Sequence, residues 1–148
     1  MASTRTQSRA EAWIRTEWLP QRFGQPFSKQ KLRLSSGGNF EFDAVSADKQ
    51  VIATVSTSRS STSSGRRGAG KMNKIRSDIL FLSLRRARHR LVVLTERDMH
   101  SHCSRQQDLG RLPKWVELLL APLPRPLAKS LRQARRRSSR EVSPRRAA

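Results

Sequence analysis

Gly37-Gly38-Asn39-Phe40-Glu41-Phe42-Asp43-Ala44-Val45-Ser46 is the stretch on which the reading of this chain turns. It opens on the Gly pair of Ser35-Ser36-Gly37-Gly38, a hairpin-turn signal. From Asn39 to Val45 apolar and polar residues alternate with the strand period of two. Perfect alternation places Phe40, Phe42 and Ala44 on one face and Glu41, Asp43 and Val45 on the other. Upstream, Lys31–Leu34 alternates as well. Downstream, Ser46–Lys49 reads as a second turn, and Val51-Ile52-Ala53-Thr54-Val55 is nearly continuous in apolarity, as a central strand is. Three strands joined by two tight turns make an antiparallel meander.

Working outward, residues 1–7 are polar and expected to be disordered. Ser8 and Glu11 have capping-box spacing, and Ala10, Trp13, Ile14 and Trp18 form a helical stripe that Pro20 is expected to end. After the meander, residues 57–70 are Ser-, Thr-, Arg- and Gly-rich and read as a mobile loop. Lys71 then opens a helix with Met72, Ile75, Ile79 and Leu82 on one stripe. Leu91–Leu94 reads as a buried strand. Thr95–Asp98 reads as the cap of a helix through Cys103 to Leu109, with Gly110 ending it. Trp115–Leu120 reads as a last strand. The sequence thus predicts one α/β domain over residues 8–122, with later strands reached through helical crossovers and therefore parallel to their neighbours. Residues 123–148 read as a short basic helix, Leu127–Arg135, and a disordered tail.

Lys and Arg number 31 against 11 Asp and Glu, a formal net charge of +20. That much self-repulsion in 148 residues is usually offset by a polyanion, and DNA or RNA is the commonest. A basic composition without functional meaning is the plain alternative. No apolar run approaches the roughly 20 residues of a membrane span, and no apolar stretch at the start reads as a signal peptide, so a cytoplasmic or nucleoid location and no membrane partner are expected. The single Cys103 leaves no internal disulfide partner. Beside His100 and His102 it reads as a helix-face cysteine with surface histidines.

The order helix, three strands, helix, strand, helix, strand, together with the Asp43 segment and the following Val51–Thr57 strand, resembles the PD-(D/E)xK nuclease superfamily over about Ala10 to Leu120. The resemblance implies a restriction-endonuclease-like αβββαβ core, a mixed sheet flanked by helices, and nucleic acid, DNA above all, as partner. It implies Asp43 as first metal ligand and Mg²⁺ as the cofactor of an active enzyme. Such sites need carboxylates that share a divalent ion and a lysine that stabilises the developing anion. Thr54 and Ser56 stand at the acid and lysine positions of the second half-motif, and neither can do that work. Glu17 on the first helix, and Lys71 or Lys74 on the next, are the residues that can replace them. The implied endonuclease is therefore incomplete, its activity weak, rescued or lost.

Gly65-Arg66-Arg67-Gly68-Ala69-Gly70-Lys71 also matches the phosphate-loop pattern G-x-x-x-x-G-K between a strand and a helix. Met72 follows where a hydroxyl belongs, and no strand ends in the acid that completes a nucleotide site. A nucleotide-binding protein with Lys71 on the phosphates, and a non-catalytic basic accessory protein for RNA or a protein partner, are the alternatives. On the first reading the same segment grips a backbone phosphate through Arg66, Arg67, Lys71, Lys74 and Arg76. A mixed sheet favours the nuclease-like reading; a mostly parallel one favours the phosphate loop.

Overall fold

In the computed structural model, which describes residues 4–61 and 69–142, a five-stranded sheet runs in the order β1-β2-β3-β4-β5. The strands are β1 (Phe27–Arg33), β2 (Asn39–Ser46), β3 (Val51–Ser56), β4 (His89–Leu94) and β5 (Glu117–Leu120). β1–β2 and β2–β3 are antiparallel; β3–β4 and β4–β5 are parallel. The sheet is mixed, as the meander and crossovers dictate. Only β2 runs against the rest.

Helices cover both faces. On one side lie α1 (Thr4–Trp13), a π-helical turn (Ile14–Trp18) and α2 (Leu19–Phe23). Ile14 and Leu19 pack there on Ala44, Ala53, Val55, Leu91 and Val93, with Trp13 and Trp18 partly buried beside them. On the other side lie α3 (Ala69–Ser83) and α4 (Arg97–Asp108). Met72, Ile75, Ile79 and Leu82 of α3, with Met99 and Cys103 of α4, bury Phe42, Val45, Ile52, Val92 and Leu94. The chain closes with α5 (Arg125–Val142), which packs on α1.

Several boundaries differ from the sequence reading. α1 starts at Thr4, so residues 4–7 are helical and Ser8 is not its cap. α5 runs to Val142 rather than stopping at Arg135. Neither helix has enough apolar surface to be obvious alone. Thr6 and Ala10 on α1 are buried, as are Leu127, Leu131 and Ala134 on α5, and the two helices cover each other. Pro20 does not end the first helical run but sits in the first turn of α2. The preceding turn widens so that Leu19 N–H reaches Ile14 O, and a residue without an amide is carried past. Gly24, in the left-handed region at φ 69°, ends the run instead, its N–H reaching Pro20 O. Glu96, not Thr95, caps α4. Ala69 and Gly70, placed in the loop by sequence, already belong to α3.

The most consequential difference lies within β2. Ser28 of β1 faces Val45, while Gln30 faces Phe42, so Lys29 stands opposite two residues, Asp43 and Ala44. This is a β-bulge. It breaks the perfect alternation: Phe42 and Val45 enter the α3 side of the core, and Ala44 enters the α1 side. The hairpin carrying Phe40 is held by its ring stacked at 4.1 Å on Phe81 of α3.

Candidate functional site

β2 and β3 are paired only at Ala44–Ala53 and Val45–Ile52. β3 continues along β4 to Ser56, but its other edge parts from β2 beyond Ala53. At this opening stands Asp43, re-aimed by the bulge. Its Oδ2 accepts the Val55 N–H at 2.7 Å, so a side chain supplies what the ladder no longer does. From the α1 side, Arg15 donates to the Asp43 backbone oxygen at 3.1 Å and to Glu11 at 3.3 Å. Lys29 reaches Glu11 at 3.5 Å and Glu41 at 3.7 Å. From α3, Lys74 pairs with Asp78 at 3.0 Å.

Burial pushes the Asp43 carboxyl up to about 6, and the nearby Glu11 and Asp78 carboxylates add to the rise. The Val55 amide and Lys74 act the other way and do not cancel it. Asp78 is likewise raised by burial, with Lys74 opposing. Two half-buried acids with one ammonium between them hold more negative charge than their surroundings solvate.

A second group gathers where β3 ends. The Ser56 hydroxyl accepts the Ser58 N–H at 3.3 Å. Asp98 in the first turn of α4 accepts both the amide and the hydroxyl of Ser60 at 3.0 Å, and Arg59 approaches it at 3.7 Å. Against its partial burial, those hydrogen bonds hold Asp98 below the usual carboxylate range. Lys71 donates to Ser61 O at 3.2 Å. Burial, then Arg135 and Arg59, lower the Lys71 ammonium below its ordinary value, with Asp98 opposing. Arg135 of α5 closes the group by binding Glu96 at 2.9 Å and the Thr57 carbonyl.

The structure therefore brings Asp43 and Lys74 together and puts Lys71 one turn earlier on α3, in the adjoining group. Arg76 is the cation acting on Cys103, toward α4 rather than toward Asp43. Arg66 and Arg67, with Gly65 and Gly68, lie outside the described residues. Thr54 and Ser56 are buried on β3, 2% and 6% exposed. The Thr54 hydroxyl has no hydrogen-bond partner among the described residues. Glu17 is exposed, and the acids that act on Asp43 are Glu11 and Asp78 instead. Sequence reasoning gave Glu11 only a capping role and missed Asp78. Its signal was a carboxylate set against the apolar stripe of α3, four residues after Lys74. Cys103 is fully buried and its thiol is pushed up to about 11, so it is no nucleophile. His100 is tied to the Leu118 carbonyl at 3.2 Å.

Magnesium needs several oxygens at about 2.0–2.1 Å in near-octahedral array. The residues present do not fit it. No three His, Cys, Asp or Glu side chains converge among the described residues. One oxygen of each nearby acid is already engaged, Asp43 Oδ2 with Val55, Asp78 Oδ2 with Lys74, and Glu11 Oε1 with Arg15 and Lys29. What the arrangement offers is a cation-bearing helix over an opening in the sheet. No helix among the described residues is long and apolar enough to cross a membrane.

Compared with known proteins, the chain matches no family model, no curated protein and no solved structure.

Proposed function

We propose that this chain is a nucleic-acid-binding protein of restriction-endonuclease-like architecture, DNA its expected partner, in which metal-dependent cleavage has been lost. The observation that carries the reading is the opening between β2 and β3 at Asp43, within reach of the charge of Lys74 on α3. The helix that provides it also carries Lys71 in its first turn. The strand order, with β2 alone reversed, supports the architecture. The same antiparallel start argues against the phosphate-loop alternative, whose sheet is mostly parallel.

Binding on this reading is electrostatic. With a net charge of +20, the protein attracts a phosphodiester chain over a Debye length and gains by releasing its condensed counterions. Lys71 and Lys74 act as point charges on phosphate oxygens. Asp43 does not touch the phosphate; it holds β3 through the Val55 amide and keeps the opening in shape.

Two measurements test this. Affinity for a short DNA duplex should fall steeply between about 50 and 200 mM salt, on the order of a thousandfold if some six phosphates are contacted. A flat salt response would count against it. Plasmid incubated with Mg²⁺ or Mn²⁺ should stay intact. Cleavage by the wild type that disappears in Asp43→Ala would overturn the loss of catalysis.

A further inference from the structure

The chain leaving α3 and entering β4 reads Arg85-Arg86-Ala87-Arg88-His89-Arg90, four arginines in six residues. None of these residues is among the charges that act on Asp43. Two cavities open along it. One, of about 370 Å³, is lined by Gln50, Arg86, Arg88 and Arg90. The other, of about 360 Å³, is lined by Arg33, Leu34, Ser35, Leu84, Arg85 and Arg86. Arg86 lines both, so the two hollows adjoin at that residue and are taken together as one groove.

The charges in this groove are largely unanswered. Arg86 and Arg88 are exposed, and neither has an ion-pair or hydrogen-bond partner among the described residues. Glu117 of the neighbouring strand is engaged by His89 at 2.8 Å. Arg85 is turned to the Arg33 carbonyl at 3.0 Å, which brings the Arg33 backbone to the groove. At one end the Arg90 guanidinium lies 3.9 Å over the ring of Trp115, and that ring is 37% exposed.

Exposed guanidiniums left unpaired in adjoining hollows suit a repeating anion better than a single phosphate. An exposed aromatic stacked on an arginine is a platform for an unstacked base. A lipid surface would ask for a broad apolar rim; the first hollow has only Ala87 beside its arginines and glutamine, and the second only Leu34 and Leu84 beside its own arginines. We propose that this groove is the track for the phosphate backbone of one strand of nucleic acid, with the Arg90–Trp115 stack receiving a base at its end. The proposal rests on the nucleic-acid reading above and says where on the molecule the strand lies.

The test uses the full chain and labelled 20-nucleotide single strands of DNA and RNA, followed by fluorescence anisotropy. Arg86→Ala/Arg88→Ala is compared with Lys71→Ala/Lys74→Ala, with circular dichroism melts verifying that both fold. The arginine pair should weaken binding about 10- to 100-fold and flatten the salt slope by about 1.4, the share of two phosphates on a single strand. Arg86→Lys/Arg88→Lys should restore most of it. Unchanged binding in the arginine variant beside weakened binding in the lysine variant overturns the groove and leaves the nucleic-acid reading intact. A wild type indifferent to both DNA and RNA overturns that reading and the groove with it. So does attachment to phosphatidylserine vesicles, but not oligonucleotides, through Arg86 and Arg88.

Discussion

The opening at Asp43 and the arginine segment after α3 treat charge in opposite ways. Around Asp43 the carboxylates are part-buried and paired, Asp78 with the exposed Lys74 and Glu11 with Arg15 and the exposed Lys29. The Asp43 and Asp78 carboxyls are still raised, because desolvation exceeds what the cations return. Along Arg86 and Arg88 the guanidiniums are exposed and unpaired. The first region stores electrostatic cost within the fold. The second leaves its charge to a partner and costs the fold little. A stability measurement should therefore feel the first region, and a binding measurement the second.

The largest effect expected breaks the first region outright. Phe42 is fully buried beside the bulge and joins β2 to α3. Phe42→Ala should cost about 3–5 kcal/mol, read by urea denaturation. A loss under about 1 kcal/mol would mean the hairpin is not fastened there.

Next is Asp43 itself. Its folded pKa lies near 6, above the unfolded value of 3.8, so the folded state holds the proton more tightly. Its contribution is greatest below pH 4 and is lost as pH rises through 6, a swing of at most about 3 kcal/mol. Asp43→Asn keeps an oxygen for the Val55 amide and removes the charge. The variant should be more stable than wild type at pH 7.5, by about 1–3 kcal/mol, and no more stable at pH 4. Denaturation midpoints at the two pH values decide it. A variant destabilised at pH 7.5 would show that the ionised form is needed to hold the strand.

A smaller effect concerns the clasp between the halves of the chain. Arg135 joins α5 to Glu96 and to Thr57. Arg135→Ala should cost roughly 1–2 kcal/mol and lower hydrogen-exchange protection in α1, which α5 covers. Unchanged protection in α1 would deny that the two helices support each other. The smallest effect sharpens the comparison. Arg86→Ala/Arg88→Ala should leave thermal stability within about 0.5 kcal/mol of wild type. A clear loss would mean that these side chains have a structural role.

Much of the architecture was legible in residue order. The Ser35–Gly38 turn, the β-branched Val51–Val55 run and the apolar stripe from Met72 to Leu82 each carry a period that one kind of element satisfies. Their succession dictated a meander followed by crossovers, hence a mixed sheet. Asp43 also stood out, as the acid that the resemblance placed near the end of an alternating strand. What could not be read was what surrounds it. Glu11 and Asp78 come from helices on opposite faces of the sheet, 32 and 35 residues away in the chain. Glu17, the acid favoured by sequence, lies on the exposed side of a π-helical turn that no local signal announced. Trp115 follows an apolar pattern, yet its ring is only partly covered and is met by Arg90.

The sequence by itself determined the elements, their order and the sign of the protein's long-range field, because periodicity, turn chemistry and net charge are properties of the chain taken locally or summed. Only the tertiary structure decided which charges face one another. That depended on a one-residue bulge at Asp43–Ala44 and on how far β2 parts from β3. A bulge leaves the composition of a strand unchanged but redirects its side chains, and charges interact through distance and burial, which only packing sets.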